Sequence, residues 1–389
     1  MSRVFSSRLE WDAHPNPLST LLTEKRAQGA EILDLTESNP TRAALNYPRE
    51  ELLTALADPR ALTYDPDPRG LPSAREAVSA YYAERSVEVS PSRILLTAST
   101  SEAYSYLFKL LTNPGDEILV PRPSYPLFDY LAAMESVAVR QYPLRYDSVW
   151  HIDFPALASA ITPLTRAIVV VNPNNPTGSY LKRTEWEHLQ TFGLPIFSDE
   201  VFSDFAFSPD PQRVTTLARQ NSVLTFSMSG LSKIAGLPQM KLGWIVAGGS
   251  DHPAALDGLE WIADTYLSVS TPVQLALPRL LTAARPVQEQ IRAQTRSNLE
   301  HLRKNLLTAA SPCRCLTIEG GWYAVLEVPR IRSEEDWVLQ LLAEKDVLVQ
   351  PGFFYDFESE AFLVLSLLTP PAIFAEGLRR ILESTASPA

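Results

Sequence analysis

The sequence predicts an α/β protein, with a large three-layer αβα domain around a mostly parallel sheet and a smaller α+β domain. Three observations predict it. Short, almost wholly apolar runs alternate with helix-like patterns between about residues 43 and 244. These runs lack the alternation that a half-solvated sheet shows, which indicates strands covered on both faces. A second group of strands follows a long helical stretch at about 276–309.

The elements follow in order along the chain. Leu18, Leu21 and Leu22 predict an amphipathic helix, which precedes a short strand at 32–35 and a turn-rich segment at 37–40. The strands expected in the large sheet lie at 94–96, 118–120, 167–171, 196–197, 223–226 and 242–247. Later strands are expected at 322–326, 347–349 and 363–367, and a last helix at 374–382. We therefore predict an N-terminal segment (1–42) that joins the small domain, a large domain (43–280) and a small C-terminal domain (281–389).

Composition narrows the classes of protein and partner. The net charge of −11 argues against nucleic acid or an anionic membrane surface as a partner. Cys313 and Cys315 flank one arginine, which is too few and too close for a disulfide framework, and no histidine cluster completes a metal site. No apolar stretch approaches the roughly 20 residues that span a bilayer, and residues 1–5 lack a signal peptide's apolar region. We expect a cytoplasmic protein.

Three polar residues close or follow successive apolar runs. Asn175 lies in 172–178 (NPNNPTG), Asp199 in 198–202 (SDEVF) and Lys233 in 229–233 (SGLSK). Ligands of such sheets bind outside the carboxyl ends of the strands. An amide, a carboxylate and an amine at this edge are the groups that hold and activate pyridoxal phosphate, which needs a covalent lysine and a partner for its pyridine nitrogen. A turn without ligand for Asn175, a helix N-cap for Asp199 and a surface charge for Lys233 are the alternatives.

Residues 33–380 resemble the class I aminotransferases of the fold-type I pyridoxal-phosphate family, most specifically at 172–178. The resemblance implies the fold of that family and pyridoxal 5'-phosphate as cofactor. It identifies Lys233 as the covalent cofactor lysine and proton shuttle, and Asp199 as the carboxylate that keeps the pyridine nitrogen protonated. Asn175 would donate to the phenolic oxygen of the cofactor and border the substrate.

The same resemblance assigns further cofactor contacts. The phosphate would bind at 97–102 (TASTSE), where Ser99, Thr100 and Ser101 open a helix, with a plain N-cap as the alternative. Tyr125 would stack on the pyridine ring, unless it is a core tyrosine. Tyr64 would reach the phosphate of the other subunit, which implies a homodimer with shared active sites, unless it is a surface tyrosine.

Three positions depart from the commonest family pattern. Lys241 stands where an arginine usually binds the phosphate; it would supply the charge without the bidentate fork, unless it is a solvated surface lysine. Gly230 replaces a serine that contacts the phosphate, a role that Ser229 or Ser232 could take. Phe202 replaces a tyrosine that donates to the phenolic oxygen, a loss that is expected to raise the pKa of the bound cofactor.

The fourth departure concerns the substrate. The family's carboxylate-binding arginine precedes a Ser or Thr in a late strand, but 362–367 (FLVLSL) contains no arginine. Arg42 is the candidate for a displaced arginine, in a loop that aligns with one lining the substrate pocket, where Ser38 replaces a glycine. A surface role for Arg42, a local misalignment and a substrate without a carboxylate are the alternatives.

The resemblance implies an aminotransferase that moves an amino group from an amino acid to a 2-oxo acid by a ping-pong cycle. The apolar segment 353–355 (FFY) favours a neutral or aromatic substrate side chain. A β-lyase or decarboxylase on the same scaffold is the alternative, since the same carbanion can partition differently. A regulatory domain of this fold is disfavoured because only about 30 residues precede the enzyme-like region and the charge is acidic.

Overall fold

The computed structural model describes residues 6–9, 15–219, 222–308 and 311–386. The expectation about a signal peptide concerns residues 1–5, which lie outside these ranges. Across the described ranges, no helix combines the length and the apolar character needed to cross a membrane.

An eight-stranded sheet forms the centre of the larger half, in the order β2-β9-β8-β7-β6-β3-β4-β5. Its strands are β2 (Ile94–Thr97), β3 (Glu117–Arg122), β4 (Ala138–Asp147), β5 (Val149–Ile152), β6 (Thr165–Val171), β7 (Ile196–Asp199), β8 (Thr225–Gly230) and β9 (Gly243–Gly248). The five central neighbours β8, β7, β6, β3 and β4 run parallel. Strands β9 and β5 are antiparallel to their neighbours. The mostly parallel sheet expected from the apolar runs is confirmed.

Helices cover both faces of this sheet. Alternate residues of a strand point to opposite faces. In β2, Leu95 packs with the cluster that includes Leu107 and Leu259, whereas Ile94 and Leu96 pack with the opposite cluster. Full burial of such a side chain contributes roughly 1.5–3 kcal/mol, so a strand buried on both faces reads as one apolar run. The helices of this half are α2 (Arg49–Leu56), α3 (Pro72–Ala83), α4 (Thr100–Leu111), α5 (Leu127–Met134), α6 (Phe154–Ala160), α7 (Arg183–Thr191), α8 (Leu231–Ile234), α9 (His252–Tyr266) and α10 (Thr271–Ala283).

A second hydrophobic core forms where the N-terminal segment packs against the C-terminal part of the chain. Its antiparallel sheet has the order β10-β11-β14-β13. The N-terminal strand β1 pairs in parallel with β12, and Leu18 and Leu35 enter the same cluster as Trp337 and Phe374. Its elements are α1 (Pro17–Ala27), β1 (Leu33–Asp34), α11 (Arg285–Thr308), β10 (Arg314–Cys315), β11 (Tyr323–Glu327), α12 (Glu334–Lys345), β12 (Val347–Leu348), β13 (Gln350–Pro351), β14 (Phe362–Ser366) and α13 (Pro371–Ala386). The domain boundaries at 42/43 and 280/281 stay predictions.

Two elements differ from the sequence-based expectation. The sequence patterns do not predict the β4–β5 hairpin, because β4 is partly exposed along most of its length and contains no continuous apolar run. The helical stretch expected at 276–309 is two helices, α10 and α11, separated at Ala284. Both differences lie away from the centre of the large sheet, so neither changes the position expected for the carboxyl ends of its central strands.

Candidate active site

Asn175, Asp199 and Lys233 converge at one edge of the large sheet. Asp199 is the last residue of β7, Asn175 comes four residues after β6, and Lys233 lies in the short helix α8 that follows β8 directly. Strands β6, β7 and β8 are parallel neighbours, so their carboxyl ends share an edge. The backbone N–H of Asn172 donates to the Asp199 carbonyl oxygen at 2.8 Å, which ties the first two strand ends together.

Burial perturbs the Asp199 carboxylate and the Lys233 amine in the directions that favour their neutral forms. Burial raises the pKa of Asp199 from 3.8 to about 6, although hydrogen bonds and the neighbouring Lys233 charge lower it. Burial lowers the pKa of Lys233 from 10.5 to about 8, although the charges of Asp199 and then Glu37 raise it. A carboxyl and an amine shifted together in one cleft mark a candidate catalytic site.

The Lys233 amine lies in a mostly aromatic environment. Its Nζ donates to the carbonyl oxygen of Ser38 at 3.4 Å. It lies 5.1 Å from the ring centroid of Trp322 and 5.7 Å from that of Phe202, two rings that meet edge to face. Desolvation, to which these rings contribute, lowers the pKa of Lys233 despite the nearby negative charges of Asp199 and Glu37.

Two polar atoms at this edge are buried without a partner. The Oδ1 atom of Asn175 and the Oγ atom of Ser229 have no hydrogen-bond partner within the part of the chain that the structure describes. Asn175 is 7% exposed and Ser229 1% exposed. A buried polar group without a hydrogen-bond partner destabilises the folded state by about 1–3 kcal/mol. Two such atoms at the same edge of the sheet therefore indicate that a polar ligand binds there.

The segment before α4 forms a helix N-terminus, a geometry that can bind an anion. Ser99 caps the helix by accepting the Glu102 N–H at 3.1 Å, and the Glu102 carboxylate accepts the Ala98 N–H at 2.6 Å. The plain N-cap is therefore present, but the N–H groups of Thr100 and Ser101 precede any intrahelical acceptor and stay available to an anion.

This segment lies beside the end of β8. A Cβ atom on Gly243 would come within 3.0 Å of the Ser229 carbonyl oxygen and 3.3 Å of the Ser99 carbonyl carbon. The backbones of Ser229 and Ser99 thus approach closely on either side of Gly243. Ser232 follows Ser229 by three residues, in α8. The phosphate roles of the singled-out serines stay predictions.

The remaining sequence-predicted residues are more exposed. Tyr125 is 46% exposed, yet the Asp199 charge acts with burial to raise its pKa, which indicates that it borders the same cleft. Lys241 is exposed, has a left-handed backbone conformation (φ 48°) and lies two residues before β9, at the same sheet edge. Tyr64 is 78% exposed, and Arg42 is exposed in the turn at 40–42.

The late strand packs an aliphatic side chain against the aromatic residues near Lys233. Val364, on β14, is fully buried against Phe202, Trp322 and Tyr323, whereas Leu365 points into the core of the small sheet. Among positions 363–365, Val364 is thus the position that borders the aromatic wall of the site.

Sequence reasoning missed four residues of this site. The charge of Glu37 raises the pKa of Lys233, and the Trp322 ring lies next to its amine. Tyr323 packs against Phe202 in the aromatic wall formed by Phe202, Trp322 and Tyr323. Tyr104 donates a hydrogen bond to Asp199. Glu37 stands next to the singled-out Ser38, and Trp322 follows a Gly-Gly pair before a strand, so proximity to a motif was the available signal. No sequence signal marks Tyr104 beyond its position near the start of α4.

Comparison with known proteins agrees with this geometry. Residues 30–380 match the profile of the family described as aminotransferase class I and II. Glutamate-pyruvate aminotransferase AlaA of Escherichia coli (strain K12) is 29% identical over 338 residues, covering 84% of this chain and 83% of that protein. Tyrosine aminotransferase of Bos taurus is 26% identical over 415 residues, covering 98% of this chain and 91% of that protein.

Solved structures agree in fold. A crystal structure of an aminotransferase from Escherichia coli superposes with a TM-score of 0.84 at 25% identity, covering 98% of both chains. Alanine aminotransferase from Pyrococcus furiosus superposes with a TM-score of 0.87 at 23% identity, covering 98% of this chain and 99% of that one. The match across residues 30–380, together with the strand-edge site, establishes that this chain belongs to the class I and II aminotransferases, a family of enzymes.

Proposed function

We propose that this protein is a pyridoxal-phosphate-dependent aminotransferase that acts on amino acids with neutral or aromatic side chains and on 2-oxo acids, by a ping-pong cycle. The observation that carries the proposal is the placement of Asn175, Asp199 and Lys233 at adjacent ends of parallel strands, with the pKa of Asp199 raised and that of Lys233 lowered. The relatives named above are aminotransferases, and they lend no support to a β-lyase or a decarboxylase.

The residues present fit the cofactor. The free N–H groups of Thr100 and Ser101 and the unpartnered Oγ of Ser229 suit its phosphate. Ser99 and Ser232 are the further serines proposed to contact it. Lys241 adds a positive charge at the same edge. The Nδ2 amide of Asn175 is the group that could donate to its phenolic oxygen, and Tyr125 suits its ring face. The partly buried Asp199 carboxylate would gain a cationic partner in a protonated pyridine nitrogen.

The chain's own residues would carry the proton transfers. Bound pyridoxal phosphate supplies an electron sink that labilises bonds at the substrate's α-carbon. Lys233 Nζ, with a pKa of about 8, can take a proton from that carbon and return it elsewhere near neutral pH. Asp199 would keep a proton on the pyridine nitrogen of the bound cofactor. The rings of Trp322 and Phe202 keep water away from the Lys233 amine.

The substrate side of the site is apolar. Val364, Phe354 and Tyr355 join the cluster of Phe202, Trp322 and Tyr323, and this supports a neutral or aromatic substrate side chain. Arg42 remains the candidate for the substrate carboxylate, with Ser38 beside the Lys233 amine.

A homodimer would complete the site. Leu62 is 92% exposed, Tyr64 78% and Trp261 75%, and such large exposed apolar side chains favour a protein interface. If Tyr64 reaches the phosphate of the partner subunit, mixing Tyr64→Ala and Lys233→Ala chains restores activity, because each mixed dimer contains one intact site. Absence of restoration in chains shown to mix would exclude the shared site.

A half-reaction screen tests the function. Purified holoenzyme is mixed with single amino acids while the cofactor absorbance is followed; conversion to the pyridoxamine form by neutral or aromatic amino acids is expected. Release of pyruvate and ammonia, or of carbon dioxide, would instead identify a lyase. Lys233→Ala is expected to bind the cofactor without a covalent bond, and a covalent adduct in that variant would overturn the assignment of Lys233.

A further inference from the structure

Asp199 receives a hydrogen bond from a tyrosine on a different element. The Oη atom of Tyr104, on α4, donates to Asp199 Oδ2 at 3.2 Å, while the Val201 N–H donates to Asp199 Oδ1 at 3.3 Å. Tyr104 is 3% exposed. We propose that Tyr104 is a positioning residue that orients the Asp199 carboxylate and keeps it ionised, an inference that rests on the proposed role of Asp199 as partner of the cofactor's pyridine nitrogen.

The Tyr104 side chain is held by packing in one of the apolar clusters that cover the large sheet. Its ring meets Phe128 edge to face at 5.4 Å and Phe108 at 6.0 Å, all within one buried cluster. The hydroxyl is the polar end of an otherwise apolar side chain, and Asp199 accepts its hydrogen. A phenylalanine at this position would keep the ring contacts and lose only that donor.

The hydroxyl acts as a donor throughout the working pH range. Burial, followed by the charge of Asp199, raises the pKa of Tyr104 well above its usual value. The groups that face Asp199 are Tyr104 from α4, Lys233 from α8, the Val201 N–H and Tyr125, whose pKa the Asp199 charge helps to raise. Of these, Tyr104 is the side chain that donates a hydrogen bond to Asp199 in the described ranges.

Donation to one oxygen has two consequences. It fixes the rotation of the carboxylate about its terminal torsion, because Oδ1 and Oδ2 then have separate donors. It also lowers the basicity of the carboxylate, and so favours a proton on the pyridine nitrogen rather than on Asp199. A protonated ring withdraws electrons better, so the hydrogen bond acts on the chemical step and leaves substrate binding alone.

The experiment compares Tyr104→Phe with Tyr142→Phe. Tyr142 is likewise buried in the same half of the molecule, but its hydroxyl donates to the Val169 carbonyl oxygen at 2.8 Å and not to Asp199. Hydrogen bonds to charged groups predict a fall in kcat of roughly 10- to 100-fold for Tyr104→Phe, with KM unchanged. Tyr142→Phe, as a merely structural loss, is expected to leave kcat within about threefold of the unmodified enzyme.

A spectroscopic readout separates positioning from structure. With ¹⁵N-labelled cofactor bound, the pyridine nitrogen resonance is expected to move toward the unprotonated position in Tyr104→Phe and to stay in place in Tyr142→Phe. Site-specific replacement of Tyr104 by 3-fluorotyrosine, which keeps the ring and strengthens the donor, is expected to move it in the opposite direction. This second substitution tests the proposal even if Tyr104→Phe fails to fold.

The two proposals fail in distinguishable ways. If the unmodified enzyme binds the cofactor through Lys233 and transaminates, but Tyr104→Phe matches Tyr142→Phe in kcat and in the ¹⁵N resonance, the role of Tyr104 is refuted while the function stands. If the unmodified enzyme forms no covalent bond with the cofactor, the proposed function falls first. A full effect of Tyr104→Phe in an Asp199→Asn background would also refute action through Asp199.

Discussion

Lys233 Nζ donates a hydrogen bond to the carbonyl oxygen of Ser38 at 3.4 Å, across 195 positions of sequence. The contact joins the carboxyl edge of the large sheet to the segment that follows β1. The Ser366 hydroxyl, at the end of β14, donates to the neighbouring Glu37 carbonyl oxygen at 2.6 Å. The N-terminal segment is thus held between the Lys233 amine and the late strand, where it can line a substrate site.

The first prediction concerns the protonation of Lys233 in the cofactor-free protein. Because the folded pKa is lowered to about 8, the neutral amine appears as pH rises through 8 rather than through 10.5. Competitive acylation read by mass spectrometry is expected to give a midpoint near 8 for Lys233. The Asp199 charge raises this pKa, so Asp199→Asn is expected to move the midpoint lower still.

Asp264→Asn, which removes an exposed carboxylate on α9, serves as the control and is expected to leave the midpoint in place. A midpoint near 10.5 in the unmodified protein would contradict the desolvation argument.

The second prediction concerns Arg42 and the substrate carboxylate. If the guanidinium binds that carboxylate through two parallel hydrogen bonds, Arg42→Lys loses the bidentate geometry but keeps the charge. We expect KM for the amino acid to rise about tenfold, with kcat changed little. Arg49→Lys, another exposed arginine at the start of α2, is the matched control. An unchanged KM in steady-state assays would end the idea of a displaced arginine.

The third prediction concerns Phe202, which is 4% exposed and lies 5.7 Å from Lys233 Nζ. Phe202→Tyr adds a hydroxyl donor beside the position proposed for the phenolic oxygen. A donor there stabilises the deprotonated form, so the pH midpoint of the cofactor absorbance is expected to fall. Phe205→Tyr, which packs on the same Trp322 ring, controls for the added hydroxyl. Equal midpoints in Phe202→Tyr and the unmodified enzyme would argue against the proposed orientation.

The fourth prediction concerns Gly178, the last residue of the 172–178 motif. It has a φ of 69°, and a Cβ there would lie 2.4 Å from Ile318 Cγ2 and 2.5 Å from the Gly320 carbonyl oxygen. Gly193 has nearly the same φ, 66°, but open space at the Cβ position. Left-handed backbone costs an alanine about 1–2 kcal/mol at either site, and overpacking adds about 1–3 kcal/mol at Gly178 alone.

Denaturant unfolding of Gly178→Ala and Gly193→Ala measures that difference in the free energy of unfolding. Equal losses in the two variants would mean that the loop around Gly320 yields freely and does not hold the motif in place.

The expectations that the sequence supported best are local in origin. Each strand of the parallel core is an apolar run because both of its faces are covered, and Asn175, Asp199 and Lys233 each sit next to such a run inside a distinctive motif. The fold class and the three residues at the strand ends could therefore be predicted from the sequence. The β4–β5 hairpin was not, since a partly exposed edge strand needs no apolar run.

The sequence by itself thus determined the family and the three residues at the strand ends, because each depends on neighbours a few positions away. The tertiary structure alone decided the partners of those residues. Tyr104 donates to Asp199 across 95 positions of sequence. Val364 contacts the aromatic wall because alternate side chains of β14 point to opposite faces and because the two hydrophobic cores pack against each other. Such contacts depend on how layers pack, which no local pattern encodes, and they set the electrostatics around Asp199 and Lys233.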